Sequence, residues 1–117
     1  MKDKRDYRDY VQDIIDSIDD INDFIKGIKF NEFVGDKKTI NAVVRSVEII
    51  GEASKKIPKI LKDKYSNIPW KQMAGMRDKL IHEYFGIDKE ILWKVAKEEI
   101  PSLKFSFRTI LRDLNKE

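Results

Sequence analysis

The residues best suited to chemistry stand together at Arg77-Asp78-Lys79-Leu80-Ile81-His82-Glu83-Tyr84. His82 is the only histidine in the chain. It is therefore the only side chain whose ordinary pKa lies near neutrality, where a group can both accept and release a proton. Arg77 keeps its charge at any working pH and presents a planar fork that fits two phosphate oxygens. On a helix Asp78 falls four residues before His82, on the same face, where a carboxylate could orient the imidazole and favour its charged form. Arg77 and Tyr84, seven apart, also share a face. Arg77 and His82 do not, because five residues turn a helix by roughly 140°. For both to act on one phosphate, the arginine must reach around, the helix must end near His82, or a second subunit must complete the site. A capping histidine beside a surface arginine would have the same spacing.

These residues need a frame, and the pattern around them predicts one made of helices without strands. Tyr7, Val11, Ile14, Ile18, Ile21, Ile25 and Ile28 alternate spacings of four and three, and Tyr10, Ile15 and Phe24 widen the stripe. A first helix is expected from about residue 5 to about residue 28. Asp6, Asp9, Asp13, Asp16, Asp20 and Asp23 form a second stripe on it, read as a solvent face. Gly35-Asp36 marks a turn and an N-cap. A second helix then runs to about Ile57, with Ile40, Val43, Val44, Val47, Ile50, Gly51 and Ser54 inward. Gly51 costs roughly 1 kcal/mol relative to alanine, so close approach of another helix is its expected reason.

Pro58 opens a short helix, and residues 65–68 read as loop. Pro69 suits a first helical position, with Trp70, Met73, Met76 and Leu80 on one face. Phe85-Gly86-Ile87-Asp88 ends that helix and caps the next, which carries Ile91, Leu92, Val95 and Ala96 to about Glu99. Pro101 kinks or restarts the chain before a last helix with Leu103, Phe107, Ile110, Leu111 and Leu114. The expected fold is all-α, one domain over residues 1–117. It is an antiparallel up-and-down bundle of about four main helices plus short pieces.

Composition agrees. The 117 residues are 41% hydrophobic and 38% charged, with five glycines and three prolines. That suits one folded domain with a wet surface. No apolar run approaches the roughly 18–20 residues that span a bilayer, and Met1-Lys2-Asp3-Lys4-Arg5 does not read as a signal peptide. The expected location is the cytoplasm. The absence of cysteine excludes disulfides and thiolate metal sites, and a lone histidine excludes a histidine-rich cluster, so neither metal nor cofactor is expected. Net charge is +3, unevenly spread. Lys55, Lys56, Lys59, Lys62, Lys64 and Lys71 face only Asp63 across residues 55–71, a stretch that could hold a nucleic-acid backbone. From charge alone a solvated helix and loop is the favoured reading.

Several blocks resemble the HepT-like HEPN family in order and spacing. Arg45-Ser46-Val47-Glu48-Ile49-Ile50-Gly51-Glu52-Ala53 looks like its second-helix signature. Ile68-Pro69-Trp70-Lys71, Gly75-Met76-Arg77-Asp78, His82-Glu83-Tyr84-Phe85, Ile91-Leu92-Trp93 and Ile100-Pro101-Ser102-Leu103 continue the match across roughly residues 36–105. The resemblance implies a homodimeric bundle with paired motifs in a cleft and metal-independent endoribonuclease activity. It further implies a toxin whose partner, a minimal nucleotidyltransferase antitoxin, transfers AMP to Tyr84. In that reading Arg77 and His82 are catalytic, Asp78 supports them, and Arg45, Glu48 and Glu52 brace the motif helix or the dimer contact. Cleavage of RNA by its own 2′-hydroxyl needs an acid or base near neutral pKa and a cation for the growing phosphate charge, which His82 and Arg77 can supply. One histidine does not easily serve as acid and base in one step, and a dimer would supply two. Trp70, Met73, Met76, Trp93 and the Gly51 face are a further argument for a dimer, if one chain cannot cover them. A non-catalytic partner of a nucleotidyltransferase and a plain RNA-binding module remain alternatives.

Overall fold

The computed structural model describes residues 7–82 and 86–116, with the side chains of Ile81 and His82 outside that description. Helix α1 spans Tyr7–Ile25, α2 Phe30–Val34, α3 Lys37–Lys56 and α4 Lys59–Lys64. Helices α5, Trp70–Ala74, and α6, Met76–Leu80, follow and lead into two short strands, β1 Ile81–His82 and β2 Gly86–Ile87. Helix α7, Lys89–Lys94, continues as a π-helical turn over Val95–Glu99. A 3₁₀ turn over Pro101–Leu103 then opens α8, Lys104–Asn115. The expected all-α bundle is what forms.

α1 lies at the centre, packed against α3 and α8. Its stripe explains this: Val11, Ile14, Ile18 and Ile21 are fully buried, and Ile15 and Ile25 nearly so. Each such side chain contributes about 1.5–3 kcal/mol on leaving water. The described aspartates at the predicted solvent face, Asp9, Asp16, Asp20 and Asp23, are exposed, and Asp13 is half-buried. On the far side Phe107, Ile110 and Leu114 of α8 close the core, and Lys104 reaches Asp19 of α1 at 2.6 Å.

Asp36 caps α3 as its sequence predicts, accepting the Thr39 amide at 3.0 Å and the Thr39 hydroxyl at 2.6 Å. Asp88 caps α7 through the Ile91 amide at 3.1 Å. Pro69 differs from expectation: it is the N-cap of α5, and the first helical residue is Trp70. The expected single helix from Pro69 to the motif is interrupted by a turn at Gly75. Pro101 acts one turn before its own position. Proline has no N–H for the ladder, and its ring crowds the carbonyl four residues back. The preceding turn widens, and the Ile100 amide reaches the Val95 carbonyl at 2.8 Å, a five-residue step.

Met73, Met76 and Gly51 are buried within the chain itself, whereas Trp70 and Trp93 are half-buried. Met73 is fully buried, and Met76 nearly so. Trp70 meets Phe107 edge-on with ring centroids 5.5 Å apart, and Trp93 packs against Phe33 with the rings tilted by 46° and centroids 4.9 Å apart. No helix among the described residues is long and apolar enough to cross a membrane.

Candidate functional site

Helix α6 carries Arg77 and Asp78 and stops at Leu80, two residues before His82. The chain then turns into an antiparallel pair in which Ile81 faces Ile87 and His82 faces Gly86. Gly86 has φ +79°, a conformation that L side chains rarely adopt, so glycine fits where the chain returns into β2. The Asp88 amide donates to the Leu80 carbonyl at 3.0 Å and anchors the base of this hairpin. The strands correct the expectation of a chain without any. β-branched Ile81 and Ile87 around a glycine were the signal, and two residues per strand are too few for an alternating pattern.

Ending the helix before His82 changes the site in two ways. Helix α6 ends before His82, which meets one of the three conditions under which Arg77 and His82 could act on one phosphate. The shared helical face proposed for Asp78 and His82 does not form, because residue 82 is extended. Asp78 instead lies with its Oδ1 3.7 Å from Nη1 of Arg77, its side chain 84% exposed. Tyr84 lies outside the described residues, as do Glu83 and Phe85.

Arg77 is held from α3. Its Nε–H donates to Oε2 of Glu48 at 2.7 Å, across 29 residues of sequence. The Arg77 side chain is about half exposed and that of Glu48 28% exposed, so the pair sits at an open surface. The Glu48 hydrogen bond, with the nearby charges of Glu48, Asp78 and Glu52, holds the arginine pKa above its ordinary value, and desolvation opposes this only in part. Glu52, one turn beyond Glu48, pairs with Lys55 at 3.5 Å. Arg45 lines a shallow cleft with Tyr10, Asp13 and Glu52.

The six candidate lysines are spread over three helices. Lys55 and Lys56 end α3, Lys59, Lys62 and Lys64 belong to α4, and Lys71 to α5. Lys59 pairs with Asp63 at 2.8 Å. Lys62 and Lys64 lie over the rings of Trp70 and Tyr65, at 6.0 and 5.6 Å. A separate cleft of about 470 Å³ opens between α5–α6 and the π-helical turn, with Met73, Met76, Val95 and Leu103 among its lining. Arg77 is not part of that lining. Among the described residues no group of three or more histidine, aspartate and glutamate side chains gathers as a metal site.

Comparison with known proteins adds to this geometry. The family model described as "Ribonuclease HepT-like" matches residues 14–110, a span that includes Arg77, His82 and Tyr84. A Methanocaldococcus jannaschii protein that carries the name "Putative RNase" is 52% identical over 91 residues, 78% of this chain and 75% of the relative. A Thermococcus cleftensis protein named "Probable ribonuclease HepT" is 56% identical over 87 residues, 74% of this chain and 79% of the relative. No solved structure matches the chain.

Proposed function

The chain belongs to the HepT-like ribonuclease family, and from that membership we propose that it is a metal-independent endoribonuclease, the toxin of a toxin–antitoxin pair. The observation that carries this reading is the family match over residues 14–110, which contains Arg77 and His82 at the motif spacing.

The 2′-hydroxyl of the RNA attacks the adjacent phosphorus, and the bond from phosphorus to the 5′-oxygen breaks. A base takes the 2′-hydroxyl proton, and an acid protonates the leaving 5′-oxygen. His82 supplies this proton transfer. Arg77 pairs the non-bridging oxygens as their charge grows. No step requires a metal ion. One histidine per chain leaves the second proton transfer without a group, so two chains are proposed to share the site. The open, half-exposed setting of Arg77 suits a surface that a second copy completes. The partner is a minimal nucleotidyltransferase antitoxin that acts on Tyr84.

The test is single-stranded RNA incubated with purified protein in excess EDTA. Cleavage by the parent, abolished by Arg77→Ala and by His82→Ala with helical content intact, is the expected result. Parental cleavage by His82→Ala sinks the mechanism. Activity stopped by EDTA and restored by a divalent ion sinks metal independence. Retention of RNA without cleavage supports the binding-module alternative. Stable co-purification with a nucleotidyltransferase, without cleavage, supports the docking alternative.

A further inference from the structure

The hydrogen bond between Arg77 and Glu48 has two consequences of opposite sign. Glu48 engages the arginine through Nε, at 2.7 Å. Among the described residues, the two Nη groups have only the loose ion pair with Asp78, whose Oδ1 lies 3.7 Å from Nη1. A guanidinium can bind one acceptor at Nε while it grips another through the Nη pair. An arginine without such a partner would sample many rotamers, and ordering it on the substrate costs free energy in each turnover. The same carboxylate, with Glu52 and Asp78 beside it, places negative charge around the cation meant to meet a phosphate.

We propose that Glu48 is the positioning residue for Arg77: it holds Nε so that the Nη edge meets the scissile phosphate, and it does so at the expense of RNA affinity. This rests on the reading of Arg77 as the phosphate-binding cation. A carboxylate that only braced the fold would affect stability and leave the turnover of folded protein unchanged. One that only repelled RNA would raise kcat/KM when removed. Positioning with repulsion lowers kcat and tightens binding together.

The experiment compares the full chain with Glu48→Gln, each also in an Arg77→Lys background. Turnover is read at saturating RNA. Affinity is read by fluorescence anisotropy of a labelled single-stranded RNA in a His82→Ala background. Glu48→Gln is expected to lower kcat roughly 10- to 100-fold, the scale of a misplaced catalytic group. It should tighten RNA binding about two- to fivefold, the scale of one exposed charge interaction. In the Arg77→Lys background, which has no Nε–H, the same substitution should change kcat less than about twofold, because coupled residues lose their coupling when one partner is gone.

A parent that cleaves alongside a Glu48→Gln variant at parental kcat overturns the positioning role and leaves the ribonuclease reading intact. An equal loss in both backgrounds does the same. A parent that does not cleave overturns the ribonuclease reading and this inference with it. Should Glu48→Gln fail to fold, the Arg77 Nε–H resonance of the parent decides. It should stay protected when a 2′-deoxy, uncleavable strand binds. Its loss on binding would mean that phosphate displaces Glu48, which overturns the proposal.

Discussion

Gly51 of α3 lies against the backbone of α5 so closely that a Cβ added to it would stand 3.4 Å from the Met73 carbonyl oxygen and 3.6 Å from that of Ala74. This is the close approach its place in a helix predicts. The distances set how much it tolerates. A methyl group would fall at ordinary van der Waals contact, and alanine gains about 1 kcal/mol of helix propensity over glycine. Gly51→Ala is therefore expected to be neutral or to stabilise by up to about 1 kcal/mol. Gly51→Leu must push α5 away, and with it the helix that carries Arg77, at a cost of about 1–3 kcal/mol. Urea unfolding of both variants checks this. A marked loss in the alanine variant would show that the two helices have no room for a methyl group.

The elements legible in the sequence are those whose signal is local and long. The α1 stripe repeats over five turns, and every isoleucine in it from Ile14 to Ile25 is buried. Asp36 and Asp88 each precede a helix and cap it. The site was less legible because its geometry depends on where one helix stops. Leu80, Ile81 and His82 continue a plausible helical pattern, and only the pairing of Ile81 with Ile87 shows that the chain has left it. Glu48 stood out as a brace because of the block it sits in. Its partner, Arg77, could not be read from periodicity, since the bond crosses 29 residues between two helices. The ring contacts of Trp70 and Trp93 escaped for the same reason: Phe107 and Phe33 are distant in sequence.

The Asp36 cap should make stability pH-dependent. The hydroxyl of Thr39, then its amide, hydrogen-bond the carboxylate and hold its pKa below the ordinary 3.8, with Lys38 adding to the effect. A depressed folded-state pKa contributes stability that is present above the unfolded value and lost as pH falls through the folded one. Asp36→Ala should therefore lower the melting temperature at pH 6, and the gap from the parent should narrow as pH falls below 3.8. Circular dichroism melts across that range test it. A gap that is constant with pH would mean that the charge of Asp36 contributes nothing to the cap.

A shared site should make cleavage depend on protein concentration. If each active centre draws on His82 from two chains, specific activity must fall as the dimer dissociates. Light scattering at micromolar concentration should report a dimer. Dilution should lower specific activity in parallel with the measured mass. Monomer alone at micromolar concentration, with undiminished cleavage, would show that one chain and one histidine suffice.

Control of the enzyme is proposed to act at Tyr84, two residues beyond His82, in the segment that joins β1 to β2. A phenol with a pKa of about 10 becomes a nucleophile only when a base removes its proton, and the transferring enzyme would supply that base. The tyrosine oxygen attacks the α-phosphorus of ATP, and pyrophosphate leaves. The AMP adduct carries at least one negative charge and considerable bulk. An adduct that reaches Arg77 would occupy the place of an RNA phosphate and neutralise the cation. Protein modified by the nucleotidyltransferase with ATP and Mg²⁺ should keep its helical content and lose RNA cleavage. Tyr84→Phe should stay folded, gain no mass and escape silencing by this route. Intact-mass spectrometry and an RNA cleavage assay on the same samples decide the matter. An adduct on Tyr84→Phe equal to that on the parent would place the modification elsewhere, and full activity in the modified parent would remove its regulatory role.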